Sequence, residues 1–513
     1  MTRARRRRRA LGRDTFHVDR EVDRSLSELR QLGVTPAGLA ADSRAVAPGD
    51  VFLAYPGEHV DGRGFVRDAL ARGASAVLWE RDGGFEWPRE LAVPNLAVAG
   101  LKRLAGPLAA EVYGRPSERL WIAGVTGTNG KTSCSQWIAQ ALEAGGRKTA
   151  VIGTLGLGLV GELEENPNTT PDAVVLQRSL ARFLDEGARC VAMEASSIGI
   201  DQGRVDGVRF AAALFTNLSR DHLDYHGDME RYAQAKLALF RTPGLAHAVL
   251  NLDDALGVRI AQRLARSGVE RIGCSMAAGA AAASGLEQWL EARDIALSAA
   301  GLRFTLVSNQ GSARVAAPLV GRFNVANLLG VIGVLLTAGF TLDAAARAAS
   351  RLEPAPGRMQ RLGGDGRPLV VVDYAHSPDA LEKCLAALRD VACGYGGRLV
   401  CVFGCGGDRD RGKRPLMGEA ASRHADFVWL TSDNPRSESP AAIIDAIRPG
   451  VRVACDIHVD RREAIRAAIG AARAGDVVLI AGKGHEPYQE IAGVRRPFDD
   501  AAEAGLALEA WRP

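Results

Sequence analysis

Long apolar runs are missing from this 513-residue chain. None approaches the roughly 20 residues a helix needs to cross a bilayer, and no secretory apolar stretch follows the first residues. A membrane or exported protein is therefore not expected, and a cytoplasmic one is. Cysteine is sparse too: eight residues, scattered, several inside apolar segments (Cys190, Cys401, Cys455). Cys401 and Cys405 are too far apart for a C-x-x-C pair and no second ligand pair follows, so a disulfide scaffold and a zinc site are both excluded. Basic charge is lacking outside one place. The formal net charge is +4, but Arg3 and Arg5 to Arg9 supply more than all of it, and the remainder is slightly acidic. No aromatic residue is interleaved in that run, as stacking on nucleic acid would require. A disordered basic tail over residues 1–20 is the expectation, and neither a nucleic-acid nor a membrane partner is.

What is present is ordinary globular composition, 47% hydrophobic and 24% charged, in a chain too long for one core. The strongest local signal is Gly127-Thr128-Asn129-Gly130-Lys131-Thr132-Ser133. It follows an apolar run, Leu120 to Val125, and precedes a helical pattern from Thr132 to Ala144. Strand, glycine loop, helix is the context of a phosphate cradle. Glycines let backbone N–H groups close around phosphates, the helix N-terminus adds positive potential, Lys131 reaches the outer phosphates and the Thr132 hydroxyl suits Mg²⁺. The loop is an abbreviated one, because Val125 stands where a full Walker A motif has its first glycine.

Three α/β domains follow from the pattern. Residues 21–117 contain strands at Val51 to Ala54 and Ala76 to Trp79, a helix from Phe65 to Arg72, and a polar glycine-rich loop, Pro56 to Gly64, of a kind that often holds a ligand. Residues 118–353 contain strands Thr149 to Ile152, Cys190 to Met193, Phe210 to Phe215 and His247 to Leu250, most of them ending in polar residues, and a long apolar helix from Leu328 to Ala338. Residues 276–284 read as a surface loop and Pro354 to Gly357 as a linker. Residues 354–513 repeat strand-then-motif four times, with strands Leu369 to Val372, Leu399 to Phe403, Phe427 to Leu430 and Val477 to Ile480 and a helix from Pro378 to Val391. Polar motifs at strand ends are the signature of open α/β sheets that bind ligands at their carboxyl edge; a central P-loop sheet and a C-terminal Rossmann-like domain are expected. Gly404-Cys405-Gly406-Gly407 lacks dinucleotide spacing.

Gly127 to Ser133, Glu194, Thr216 to Gly227, Gly321 to Asn327, Asp373 to Ser377 and Phe403 to Met417 together resemble the Mur ligases, ATP-dependent amide-forming enzymes of peptidoglycan precursor synthesis. The likeness runs from about residue 25 to near the end. It implies the route carboxylate, acyl phosphate, tetrahedral intermediate, amide, with ATP and Mg²⁺ as cofactors and an N-terminal domain that holds a UDP-sugar. By resemblance, Gly127, Thr128, Asn129, Gly130, Lys131, Thr132, Ser133, Asn324, Asn327, Asp373 and His376 bind ATP. Lys131, Glu194, His222 and Lys236 are catalytic. Thr132, Glu194, His222 and Lys236 hold metal, Lys236 as a carbamate formed with CO2. Ser43, Glu58, His59, Val60, Asn168, Thr169, Thr170, Ser196, Gln202 and Arg204 take the UDP-muramoyl-peptide, with Arg204 as a carboxylate clamp. The chain departs from the pattern at Glu58-His59, where relatives often carry histidine then glutamine, and at Ile198, where they often carry histidine.

Asp433-Asn434-Pro435-Arg436 resembles the pattern of members that add meso-diaminopimelate to the γ-carboxylate of D-glutamate in UDP-N-acetylmuramoyl-L-alanyl-D-glutamate. Arg436 offers a planar fork matched to the carboxylate that distinguishes diaminopimelate from lysine. Arg409, Gly482 and Glu486 complete that pocket by resemblance. The rival members, folylpolyglutamate synthase and the alanyl-alanine-adding ligase, are disfavoured by the same four residues. A non-catalytic P-loop ATPase would not need Glu194, His222 and Lys236. A monomer is the expected state.

Overall fold

The computed structural model describes residues 4–58, 60–82, 84–298 and 301–513, without the side chains of residues 4–16; His59 and Arg3 lie outside the described residues, as do the side chains of Arg5 to Arg9. Contacts divide the chain into two compact units. One comprises Met1–Lys131, Leu142–Val249 and Arg259–Arg271; the other comprises Thr132–Ala141, Leu250–Val258 and Ile272–Pro513.

The first unit opens with the helix Ala4–Gln31. Val22, Leu26 and Leu29 recur at helical spacing and bury one stripe against Leu101, Leu104 and Leu108 of the helix Leu101–Val112. Beside them lies a parallel four-stranded sheet in sequential order, Leu39–Ala40, Val51–Ala54, Ala76–Glu80 and Asn95–Val98. The helix expected from Phe65 to Arg72 is observed as Val66–Ala71, preceded by a 3-10 turn, Gly62–Phe65, which Asp61 caps by accepting from Arg63 N. Further along, Ala212–Phe215, Trp121–Thr126, Cys190–Glu194 and Thr149–Gly153 pair in that order, all parallel. Their side chains are buried almost throughout, as parallel strands covered on both faces must be. Two short antiparallel strands, Gly156–Leu159 and Glu162–Glu164, extend this edge, and sequence reading had not found them.

The second unit contains an antiparallel meander, Gln288–Ser298, Gly301–Ser308 and Gly311–Ala317, also missed. Its strands alternate buried and exposed residues and carry many Ser, Arg and Ala, so no apolar run marks them. The helix Arg322–Thr337 begins earlier than the apolar pattern, since its first two turns carry Asn324 and Asn327, which are polar yet buried.

The last six-stranded sheet is ordered Gln360–Gly363, Leu369–Asp373, Val477–Ala481, Leu399–Phe403, Phe427–Leu430, Ala454–Ile457. Only the first of these strands is antiparallel. Along each central strand alternate residues go to opposite cores. Leu369, Val371, Leu399, Cys401, Phe403, Val477 and Leu479 face the helices Pro378–Tyr395, Lys413–His424 and Pro440–Ile447. Val370, Val372, Val400, Val402, Val478 and Ile480 face Arg461–Gly470 and Asp500–Ala510. This two-sided burial is why the strands read as continuous apolar runs. All eight cysteines are unpaired and six are buried. Cys455 is only partly buried, because its strand is the sheet edge, and Cys393 is exposed.

Candidate active site

The glycine loop leaves the strand Trp121–Thr126 and enters the helix Lys131–Ala144, as the motif requires. A second loop, following the neighbouring strand Ala212–Phe215, clamps it. Thr216 Oγ1 donates to Asn129 O at 2.6 Å, and Asn217 takes Asn129 from both sides, Nδ2 to Asn129 O at 3.0 Å and Oδ1 from Asn129 N at 3.1 Å. Thr128 N donates to Asn217 O, and Ser219 N donates to Thr128 Oγ1. Gly127 has φ +153°, and a Cβ there would lie 1.9 Å from Thr216 Oγ1, so only glycine permits this approach.

Two lysines converge on one carbonyl. Lys131 Nζ donates to Gly127 O at 3.0 Å and to Thr128 O at 2.9 Å, while Lys236 Nζ donates to Gly127 O at 2.7 Å. Lys236 comes from the helix Met229–Leu239, is almost wholly buried, and lies over the Tyr232 ring at 4.2 Å. Burial first, and the Lys131 charge second, push its pKa well below the usual lysine range, with Asp221 opposing. Tyr232 in turn places its hydroxyl 3.1 Å from Thr128 Oγ1.

His222 is exposed, in a left-handed backbone conformation (φ +51°), with Nε2 3.5 Å from Asp221 Oδ2. Its surroundings lower its pKa by desolvation, against the pull of Asp221. Glu194 ends its strand buried, accepting from Thr154 N at 2.8 Å and from Thr154 Oγ1 at 3.3 Å. Among the described residues no three His, Cys, Asp or Glu side chains cluster as a metal cage. A hard cation here would rely on Glu194, hydroxyls and oxygens brought by a ligand.

The residues expected to hold the nucleotide-linked peptide form one chain of contacts in the first unit. Gln202 Nε2 donates to Glu58 Oε1. Arg204 Nε donates to Gln202 Oε1 and its NH1 to Thr170 O, each at 2.8 Å. Thr170 Oγ1 donates to Glu194 O at 2.9 Å and sits 3.1 Å from Ser196 Oγ, and Thr169 Oγ1 is 3.0 Å from Thr154 Oγ1. Thr154 therefore bridges the peptide residues to Glu194. Ser43 is buried in the turn Ser43–Ala45, while Val60 and Asn168 are exposed; none of these three joins the chain of contacts.

In the second unit, Asn327 Nδ2 donates to Asn324 Oδ1 at 3.0 Å. Asp373 is buried, accepts from Met359 N at 2.8 Å, and has its pKa raised by burial against the Arg358 charge. His376 lies two residues beyond Tyr374, Nδ1 to Tyr374 O at 2.8 Å. Arg358 stacks over the Tyr374 ring at 4.7 Å and donates from NH2 to Thr132 Oγ1 at 3.3 Å. Sequence reading had passed Arg358 over as part of the linker region; its only signal was a lone arginine after Pro-Gly.

Asp433 to Arg436 follow the strand Phe427–Leu430, and Gly482 to Glu486 follow Val477–Ala481, so both loops stand at the carboxyl end of the sheet. Asn434 Nδ2 donates to Glu486 Oε2 at 2.7 Å. Lys483, fully buried, donates to Asn434 Oδ1 and to Glu486 Oε2, both at 3.0 Å. Arg436 has φ +51°; its N donates to Glu490 O, its O accepts from Ala492 N at 2.7 Å, and its NH1 donates to Gly407 O at 2.7 Å. Gly482 has φ +119°, and a Cβ would lie 2.4 Å from Asp433 Oδ2. Arg409 is exposed and reaches Asp408 O at 3.4 Å; its Cγ, Arg436 NH1 and Asn434 O all lie within 4 Å of where a Gly406 Cβ would stand. Lys483 and Gln489, which donates to Ser432 Oγ and Asp433 O, were not foreseen.

A P-loop clamped by a second strand-end loop, a buried glutamate and lysine beside it, and a separate α/β sheet with its own polar carboxyl edge define a nucleotide-dependent enzyme of the amide-ligase type. The chain belongs to the Mur ligase family. Residues 36–113 match the model "Mur ligase family, catalytic domain", residues 125–335 "Mur ligase middle domain", and residues 357–484 "Mur ligase, glutamate ligase domain". It is 52% identical over 486 residues to the UDP-N-acetylmuramoyl-L-alanyl-D-glutamate–2,6-diaminopimelate ligase of Chromobacterium violaceum, covering 94% of this chain and 96% of that one. It is 51% identical over 475 residues to the ligase of the same name from Pseudomonas aeruginosa, covering 92% and 95%. A solved structure of a ligase of that name superposes with a TM-score of 0.67 at 41% identity, covering 93% of this chain and 95% of that one. No helix among the described residues is long and apolar enough to cross a membrane.

Proposed function

We propose that this chain is the ATP-dependent ligase that joins meso-2,6-diaminopimelate to the γ-carboxylate of D-glutamate in UDP-N-acetylmuramoyl-L-alanyl-D-glutamate, a step of peptidoglycan precursor synthesis. The observation that carries this reading is the cluster at the carboxyl edge of the last sheet. There Arg436, a carboxylate-matching fork, stands on the same loop as Asn434, which is bonded to Glu486, a partner for the distal ammonium. The relatives named above, at about half identity over nearly the whole chain, carry that activity in their names.

The reaction divides among the residues as follows. Lys131 and the loop amides hold the β- and γ-phosphates of ATP. Arg204, engaged through Nε and NH1, keeps its NH2 arm for a carboxylate of the peptide. The glutamate γ-carboxylate takes the γ-phosphoryl group, and ADP leaves. The diaminopimelate amine then forms the C–N bond, the C–O bond to phosphate breaks, and the amine gives up a proton. Asn324, Asn327, Asp373 and His376 serve the nucleotide. Ser43, Glu58, His59, Val60, Asn168, Thr169, Thr170, Ser196 and Gln202 serve the UDP-muramoyl-peptide. Arg409, Asp433, Pro435 and Gly482 serve diaminopimelate.

Mg²⁺ would be held by Thr132, Glu194, His222 and Lys236 as its carbamate, and it supplies neutralisation of the phosphate charge. The donor set fits: Glu194 is a buried carboxylate, and Lys236 is a buried amine whose lowered pKa favours the neutral form, the nucleophile that attacks CO2 and then loses a proton to leave the carbamate. The test is ADP release measured with each substrate omitted, together with product mass under competition between meso-diaminopimelate and L-lysine. Release that ignores both substrates, or a lysine product in preference, would sink the proposal.

A further inference from the structure

The two loops that recognise the incoming amino acid do not leave adjacent strands. Leu399–Phe403 lies between Phe427–Leu430, which feeds Asp433 to Arg436, and Val477–Ala481, which feeds Gly482 to Glu486. Direct strand pairing therefore does not join their roots. Further out, the Arg436 backbone bonds to Glu490 and Ala492 and the Asn434 and Lys483 side chains tie the loops together; at the roots a side chain must do so.

Arg461, the first residue of the helix Arg461–Gly470, spans the gap from beneath. Its guanidinium donates from NH1 to Ser432 O at 3.3 Å and from NH2 to Ala481 O at 3.0 Å, the residues immediately before Asp433 and Gly482. Asp500 fixes the fork with two bonds, Nε to Oδ1 and NH2 to Oδ2, each 2.7 Å, and both side chains are fully buried. Asp433 Oδ2 lies 2.4 Å from where a Gly482 Cβ would stand, so the two loops are packed with no slack.

Resting on the proposed ligase reading, we infer that Arg461, oriented by Asp500, is a positioning residue that sets amino-acid selection by locking the Asp433–Arg436 loop against the Gly482–Glu486 loop. Its guanidinium contacts are with Ser432 O, Ala481 O and Asp500, beneath the loops. A planar fork can hold two carbonyls and a carboxylate at once; an ammonium cannot reproduce that geometry.

The experiment uses the full-length enzyme. Wild type is first assayed for diaminopimelate-dependent ADP release; if that is absent, the ligase reading fails and the present inference falls with it. If it is present, two variants follow. Arg461→Lys keeps the charge and loses the fork. Arg461→Met with Asp500→Leu removes the pair together, which avoids stranding one buried charge. The expected result is a KM for meso-diaminopimelate raised about tenfold or more, with KM for ATP and for the nucleotide-linked dipeptide within about threefold of wild type, and with weakened preference for diaminopimelate over lysine. Folded variants of lowered thermal stability but unchanged diaminopimelate KM would overturn the inference, as would a uniform rise in all three KM values. If the double variant does not fold, Arg461→Lys decides.

Discussion

Replacing Arg436 by glycine separates recognition from stability at one position. Arg436 is held at φ +51°, where a side chain costs about 1 kcal/mol relative to glycine. Glycine removes that strain but loosens the unfolded chain by about 0.4–1 kcal/mol, so the two nearly cancel. The backbone bonds to Glu490 O and from Ala492 N need no side chain and persist. What is lost is the bond to Gly407 O and the fork that would meet the second carboxylate of diaminopimelate. A charge-assisted contact of that kind contributes about 1.5–3 kcal/mol, which is about 10- to 150-fold in KM. Arg436→Gly should therefore melt within a few degrees of wild type, raise the diaminopimelate KM by that factor, and leave the KM for L-lysine, which has no second carboxylate, nearly unchanged. ADP release titrated with each amino acid, beside a thermal melt, reads all three. Parallel rises for diaminopimelate and lysine would refute the reasoning, because they would place Arg436 in loop support and not in carboxylate recognition.

Gly127→Ala forces a Cβ to within 1.9 Å of Thr216 Oγ1, so the glycine loop or its clamp must move by roughly 1 Å; kcat/KM for ATP should fall about 100-fold with the fold retained by circular dichroism. Lys236→Met should abolish turnover yet stabilise the protein in CO2-free buffer. The folded-state pKa of Lys236 lies below its ordinary 10.5, so the unfolded chain binds the extra proton as pH falls from 10.5 toward the lowered value. The stability advantage of Lys236→Met should accordingly widen through that window and level off below it, and urea melts across pH would show a flat difference if Lys236 were unperturbed. Thr154→Val removes the hydroxyl shared between Thr169 and Glu194 while leaving the Thr154 N bond; KM for the nucleotide-linked dipeptide should rise several-fold, and an unchanged KM would detach Thr154 from the peptide site.

Strand positions and the glycine loop were legible in the sequence because each is a local matter. A strand buried on both faces needs an unbroken apolar run, as Leu399–Phe403 has, and a phosphate cradle needs Gly-Lys-Thr where strand turns into helix. The meander Gln288–Ala317 was not legible, since its strands are half exposed and their polar alternation resembles loop composition. The roles of Arg461, Lys483 and Thr154 were invisible for a different reason. On the chain they are a helix-start arginine, a lysine and a threonine, each of a kind found on any surface. Only the fold buries them against partners distant in sequence: Arg461 against Asp500, Ser432 and Ala481, Lys483 against Asn434, and Thr154 against Glu194. The sequence by itself determined which chemistry the chain carries, because short motifs hold phosphate and carboxylate through local geometry. The tertiary structure alone decided how those motifs are held in register, because burial makes a charge seek a partner and the sheet order, not the chain order, sets which partners are near.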